Sequence, residues 1–194
     1  MNVETIKQFV TEQLLRGLDK RLTYHNIQHT LSVHEAVKFY AREEGIPSAQ
    51  ITLLEIAALF HDSGFLVQRE EHEKFSCELA KKELPALGFN TFEIEKICKL
   101  IMATQVVYDP VTNLEMIMKD ADLEYLGTDN YFEISNRLFV ELKNFNLIKS
   151  NEVEWLNMQI SFLKKHKYHT NAAIQLREEG KQKILHLLLQ KKHV

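Results

Sequence analysis

Apolar residues recur every three or four positions along nearly the whole chain, beginning with Val3, Ile6, Phe9, Val10 and Leu14, which is the spacing of one buried helix face. That first helix is predicted to end near Gly17. A second is predicted from Asn26 to Glu44, stopped by Gly45 and the pre-proline residue Ile46. A third runs from Ala49 to His61, with Ser48 as its N-cap and Gly64 closing it. Further helices are predicted over 71–87, 91–104, 112–126, 129–143, 151–166 and 171–190. Asn90 followed by Glu93 has the form of a capping box, and Pro85 predicts a kink or break late in the 71–87 segment. The pattern is that of an all-α bundle of about eight to nine helices. No internal repeat, low-complexity tract or Ser/Gly-rich linker divides it, so residues 1–194 read as a single domain.

Composition narrows the function classes. The 194 residues carry 24 Lys+Arg against 27 Asp+Glu, a net charge of −3, which argues against counterion-driven nucleic-acid binding. The basic end formed by Lys181, Lys183, Lys191 and Lys192 is expected to be a solvated face. No two of the six glycines fall within five residues of each other, so neither a dinucleotide fingerprint nor a Walker A loop can be written. Cys77 and Cys98 are too far apart for a CxxC half-site, no secretory signal is apparent, and the longest apolar run is Ile56 to Phe60. A reduced, cytoplasmic protein with no membrane span is expected, and a homodimer is compatible with this reading.

Three strings carry chemistry. His25 and His29 are four residues apart, and His29 continues into the stripe of Val33, Ala36 and Tyr40. The pair is therefore either a core feature or a set of inward ligands. At Ala57–Gly64 an apolar helix ends in His61 and Asp62, where a carboxylate buried without a partner would cost several kcal/mol. A cation would remove that penalty; helix-end capping by Asp62 and Ser63 is the alternative. In the third string Leu114, Met118, Ala121, Asp122 and Tyr125 share a helix face, so Asp122 points inward and needs a cationic partner. Lys119, Asp120 and Glu124 fall toward the edges of that face, where solvation is the default. Trp155, Phe132, Phe139 and Phe162 recur at helical spacing and read as core.

The ordered set of His29, His61 with Asp62, and Asp122 on successive helices resembles the HD-domain superfamily of metal-dependent phosphohydrolases. The stretches from Tyr24 to Thr30, Ala57 to Gly64 and Asp120 to Leu123 are similar to its motif blocks, so the likeness spans residues 22–127, followed by C-terminal helices over 128–194. The resemblance implies an HD-type bundle in which His29, His61, Asp62 and Asp122 hold a divalent ion: Mn, Ni, Co, Fe, Mg or Zn. That metal would activate water and draw charge off a phosphoryl oxygen. Asp62 would bridge if a second metal bound, although no further histidine occurs over Ile101 to Gln105, which favours one metal.

Tyr24 to His29 is also similar to the matching stretch of cyclic-nucleotide phosphodiesterases, which gives His25 the role of general acid. Near-neutral titration suits an imidazole to such proton transfer. His72, Lys119 and His169 are candidate substrate contacts, and Asp120 is a candidate support behind the ligands. His34, His186 and His193 are expected to be structural or exposed. The implied activity is hydrolysis of a small phosphate ester, a nucleotide or cyclic nucleotide, resembling the small stand-alone bacterial members. The alternative is a catalytically silent sensor that keeps the metal cage and binds a nucleotide.

Overall fold

The computed structural model of the protein describes residues 3–148 and 151–192. Its helices are α1 (Val3–Gly17), α2 (Ile27–Glu43), α3 (Ser48–Phe60), α4 (His72–Glu83), α5 (Thr91–Met102), α6 (Asn113–Asp122), α7 (Tyr131–Asn144), α8 (Glu152–Lys165) and α9 (Asn171–Lys192). Short 3-10 turns lie at 63–66, 84–87 and 124–127, and the described residues contain no strand. The fold is all-α, as the periodicity predicts. No helix of the described residues is long and apolar enough to cross a membrane.

Local chemistry explains most of the helix ends. The Asn26 side chain accepts hydrogen bonds from the backbone of Gln28 and His29, and so opens α2 next to the first histidine pair. Asn90 with Glu93 closes the expected capping box on α5, and Thr112 with Glu115 makes a second one on α6. Ser48 is not a cap: the N-cap of α3 is Pro47, and Ser48 is the first helical residue. The 71–87 segment breaks where Pro85 predicts a break, with α4 ending at Glu83 before a 3-10 turn. The 112–126 segment also breaks, directly after Asp122.

α3 is the centre of the bundle. From Leu53 to Phe60 it is buried on nearly every side, apart from Glu55, because α1, α2 and α5 pack around it. Ala57 and Ala58 allow this close approach, and Val37, Leu54, Ile97, Ile117 and Met118 fill the space between the helices. Gly64 does not close α3. It packs against the first turn of α4, where an added Cβ would lie 1.9 Å from the His72 carbonyl oxygen. Gly127 and Gly180 similarly let α9 lie on the 124–127 turn, since a Cβ on Gly180 would come within 2.2 Å of the Gly127 carbonyl oxygen.

The C-terminal helices differ from expectation in two respects. Lys181 is not solvated. It is 2% exposed, donates to the His166 carbonyl oxygen at 2.9 Å, pairs with Glu178 and lies over the Tyr168 ring. The aromatic stripe is not core either: Phe132 is exposed, and Phe139, Trp155 and Phe162 are half-buried, with Trp155 and Phe162 lining a cavity between α7 and α8. His34 is buried between Glu35 and Glu55, and His186 is exposed. His193 lies outside the described residues.

Candidate metal centre

Four side chains from α2, the end of α3 and the end of α6 converge at one point. His29 Nε2 lies 3.0 Å from Asp122 Oδ1, 3.3 Å from His61 Nε2 and 3.5 Å from Asp62 Oδ2. His61 Nε2 is 3.2 Å from the same Asp62 oxygen and 3.4 Å from Asp122 Oδ1. One ligand atom each from His29, His61 and Asp122 falls within 4.8 Å of the others, and Asp62 joins this group through both imidazoles. The break in α6 after Asp122 and the turn at 63–66 leave both carboxylates at helix ends, where they reach inward.

These residues fit a divalent cation. Ligands about 2.1 Å from a common ion are about 3.0 Å apart in octahedral and about 3.4 Å apart in tetrahedral geometry, and the observed separations fall around those values. The His61 Nδ1–H donates to the Ala58 carbonyl oxygen at 2.8 Å, which leaves Nε2 as the lone-pair atom facing the cluster. Asp62 Oδ2 is buried and accepts no hydrogen bond. Two imidazole nitrogens facing each other at 3.3 Å, beside an unsatisfied carboxylate oxygen, need a shared positive charge.

Electrostatics agree. Burial presses the His61 imidazole down, but the charges and hydrogen bonds of Asp62 and Asp122 outweigh it and hold that imidazole well above its ordinary value. Burial pushes the Asp62 and Asp122 carboxyls up, and His61, with His72 at Asp62 and His29 at Asp122, brings both below the usual carboxylate range. A cation at this point would supply positive charge to the same two carboxylates.

His72 approaches from α4, its Nε2 3.4 Å from Asp62 Oδ1 and its ring stacked on Phe65 at 4.1 Å. His25 also stacks on Phe65, at 4.6 Å, with its ring centroid 6.1 Å from that of His72. His72, at the first position of α4, is half-buried in this arrangement. His25 is held by a residue the sequence reading missed. Glu141, on α7 and 0% exposed, accepts from the His25 ring Nδ1–H at 2.5 Å and from Arg69 at 2.9 Å through Oε1, and from the backbone N–H groups of Tyr24 and His25 through Oε2. Burial would raise its carboxyl; the His25 contacts, chief among the opposing influences, bring it down to about 2.

Three other candidates stand elsewhere. Lys119 donates to the Gln105 carbonyl oxygen at 2.6 Å, at the end of α5. Asp120 is 0% exposed rather than solvated, and it faces away from the cluster. It accepts from the backbone of His169 and Thr170 and from the Thr170 hydroxyl, so it ties α6 to the start of α9. His169 is engaged in this tie through its backbone. Thr170 caps α9, accepting from the Ala173 N–H.

Two cavities meet at the cluster. One, of about 250 Å3, is walled by polar groups including Asn26, Gln28, Asn130 and Arg137. The other, of about 610 Å3, has His25, Asp62 and His72 at its inner end and runs between α7 and α8.

No curated protein matches the chain. Three solved structures share its architecture over nearly the whole length of both chains. A predicted HD superfamily hydrolase from an uncultured Thermotogales bacterium has a TM-score of 0.66 and 18% identity, covering 98% of this chain and 97% of that one. Bacillus subtilis YpgQ, solved in complex with ADP, has a TM-score of 0.66 and 15% identity, covering 99% and 97%. The Lin1889 protein of Listeria innocua has a TM-score of 0.65 and 17% identity, covering 100% and 99%. At these identities the likeness is one of fold. The HD domain family model matches residues 26–124, just over half of the chain and the whole span from the α2 cap past Asp122, and the chain belongs to the HD domain family.

Proposed function

We propose that the protein hydrolyses a small phosphate ester, with His29, His61, Asp62 and Asp122 holding one divalent cation and His25 acting as the proton donor. A bound cation supplies Lewis acidity toward the phosphoryl oxygens and acidifies water. The observation that carries the reading is the pairing of that ligand set with an oriented imidazole. His25 is fixed by Glu141 at Nδ1, leaving Nε2 as the ring nitrogen free to face a substrate in the larger cavity.

The reaction balances on this arrangement. The oxygen of water bonds to phosphorus, the ester P–O bond breaks, His25 gives its proton to the departing oxygen, and the proton shed by water passes to the Asp62 and His72 pair. His72 Nε2 lies 3.4 Å from Asp62 Oδ1, which lets the two share that proton. A silent sensor would have no use for an imidazole clamped in this way. The substrate class is a nucleotide or cyclic nucleotide; the ADP held by YpgQ supports the choice of a phosphorylated nucleoside as the first ligand to try.

The experiment is a panel of nucleoside mono-, di- and triphosphates, cyclic nucleotides and aryl phosphodiesters, assayed with Mn, Ni, Co, Fe, Mg and Zn after chelation. Turnover that chelator abolishes and metal restores is expected. Stoichiometric metal binding with no turnover on any member would replace this reading with that of a sensor.

A further inference from the structure

The larger cavity offers a leaving group an apolar wall as well as the polar ring at its inner end. Beyond the ring of His25, Asp62 and His72 much of its wall is apolar, formed by Leu138, Leu142, Trp155, Met158 and Phe162, while Glu73, Asp122 and Lys165 are the other charged side chains of the lining. Three polar groups of the same wall, Tyr131, Ser135 and Gln159, are already engaged with one another. The Gln159 Oε1 accepts from the Ser135 hydroxyl at 2.7 Å and the Tyr131 hydroxyl at 3.1 Å, and its Nε2 is turned to the Trp155 carbonyl oxygen. A hydrogen-bonding group seated against that apolar wall would be desolvated without a partner there, whereas an apolar one would lose nothing. The rim continues the same character, since Val106 lines the cavity at 77% exposure and the neighbouring Val107 is 92% exposed.

The volume of about 610 Å3 lies within the range of roughly 300–1,000 Å3 found for small-ligand sites. The apolar residues that hydrophobic spacing assigns to a core are thus held apart by α7 and α8 around a space of ligand size. This space, and not the polar one beside Arg137, contains His25. The leaving group of the ester must therefore lie in it.

From this we infer that the protein selects phosphate esters by the apolar surface of their leaving group, and that flat ring-bearing groups seat against Trp155. The shared chemistry is an aromatic ring carried on phosphate, from either an aryl alcohol or the face of a nucleobase. The inference rests on the hydrolytic reading above, and its test separates the two. Trp155 is the sole tryptophan of the chain, so its fluorescence reports entry into the cavity without any turnover.

Methyl, phenyl and 1-naphthyl phosphate, with a purine and a pyrimidine nucleoside monophosphate as further arms, are assayed on the metal-loaded protein. Binding of 1-naphthyl phosphonate is followed by Trp155 emission, and a blank with Trp155→Phe identifies the source of the signal. We expect kcat/KM to rise at least tenfold from methyl to naphthyl, naphthyl phosphonate to perturb Trp155, and Met158→Asn to shrink the naphthyl-to-methyl ratio. A purine above a pyrimidine and near the naphthyl ester would assign the site to a nucleobase; nucleotides falling to the methyl level would assign it to an aryl group. Equal kcat/KM across the series with no change in Trp155 emission would overturn the inference and leave hydrolysis standing. Perturbed emission with no turnover on any ester would keep the apolar site and overturn the hydrolytic reading.

Discussion

His25 Nδ1 lies 2.5 Å from Glu141 Oε1, a contact made across 116 positions of sequence between the loop before α2 and a helix outside the family-matched segment. Glu141 takes four donors in all, so its carboxylate is fully used in fixing that imidazole and the backbone that carries it. Replacing His25 with Ala is expected to keep metal content and to cost roughly 10²–10⁴-fold in turnover on esters with poor leaving groups, and much less on nitrophenyl esters. Glu141→Gln should reproduce the direction of this change at on the order of 10²-fold, because it weakens orientation without removing the ring. Turnover on paired alkyl and nitrophenyl esters, with metal analysis of the same samples, checks both; an equal loss on the two esters would assign the dyad to substrate positioning.

The two carboxylates of the third motif should separate under mutation. Asp120 braces α9 and Asp122 faces the two histidines, although they are two residues apart. Asp120→Asn is expected to lower stability by about 1–3 kcal/mol, since buried donors lose a charged acceptor, while metal stoichiometry at saturation matches wild type. Asp122→Ala should lose metal instead. Denaturant midpoints together with elemental analysis distinguish the two outcomes.

The histidines and carboxylates of the metal centre were legible because each stands in a short string with a helical phase: His29 on the stripe of Val33 and Ala36, and Asp122 on that of Met118 and Ala121. Phase alone could not show that α6 stops at Asp122, before the 124–127 turn on which α9 packs through Gly127 and Gly180. Glu141 and Asp120 were not legible. A carboxylate on an amphipathic helix reads as solvated unless its distant donors are known, and those donors are backbone N–H groups near residues 24 and 169. Trp155 and Phe162 have the same spacing whether a stripe fills a core or lines a cavity, and only the separation of α7 from α8 decides between them.

Gly64 is the tightest point between the His-Asp turn and α4. Gly64→Ala should drive the first turn of α4, with His72, away from Asp62, because the added carbon would meet the His72 carbonyl oxygen at 1.9 Å and the Ser76 nitrogen at 2.8 Å. A loss of about 1–3 kcal/mol or more in stability is expected, with turnover reduced along with it. Thermal melts and activity of the purified variant check this, and a wild-type melt would contradict the packing described.

His166 makes the fold acid-sensitive. Burial, helped by the Lys181 charge, pushes its imidazole down to about 4 from 6.5. Between those values the unfolded chain binds the proton and the folded one does not, so stability falls as pH drops from about 6.5 toward 4, by at most about 3 kcal/mol. His166→Gln should flatten that slope. Denaturation at pH 7, 6 and 5, with chelator present throughout so that metal release does not contribute, measures it.

The most direct measurement is a titration of chelator-stripped protein with Mn2+, following bound metal and hydrolysis of bis-nitrophenyl phosphate in the same samples. One metal per chain is expected to bind, with activity rising in proportion. Binding should release protons at neutral pH, because the ion takes the place of the proton that Asp62 and Asp122 hold on His61. Single alanine replacements of His29, His61, Asp62 or Asp122 should lower both signals together. Full activity in the stripped protein, or wild-type metal binding and turnover in all four variants, would contradict the assignment of the centre.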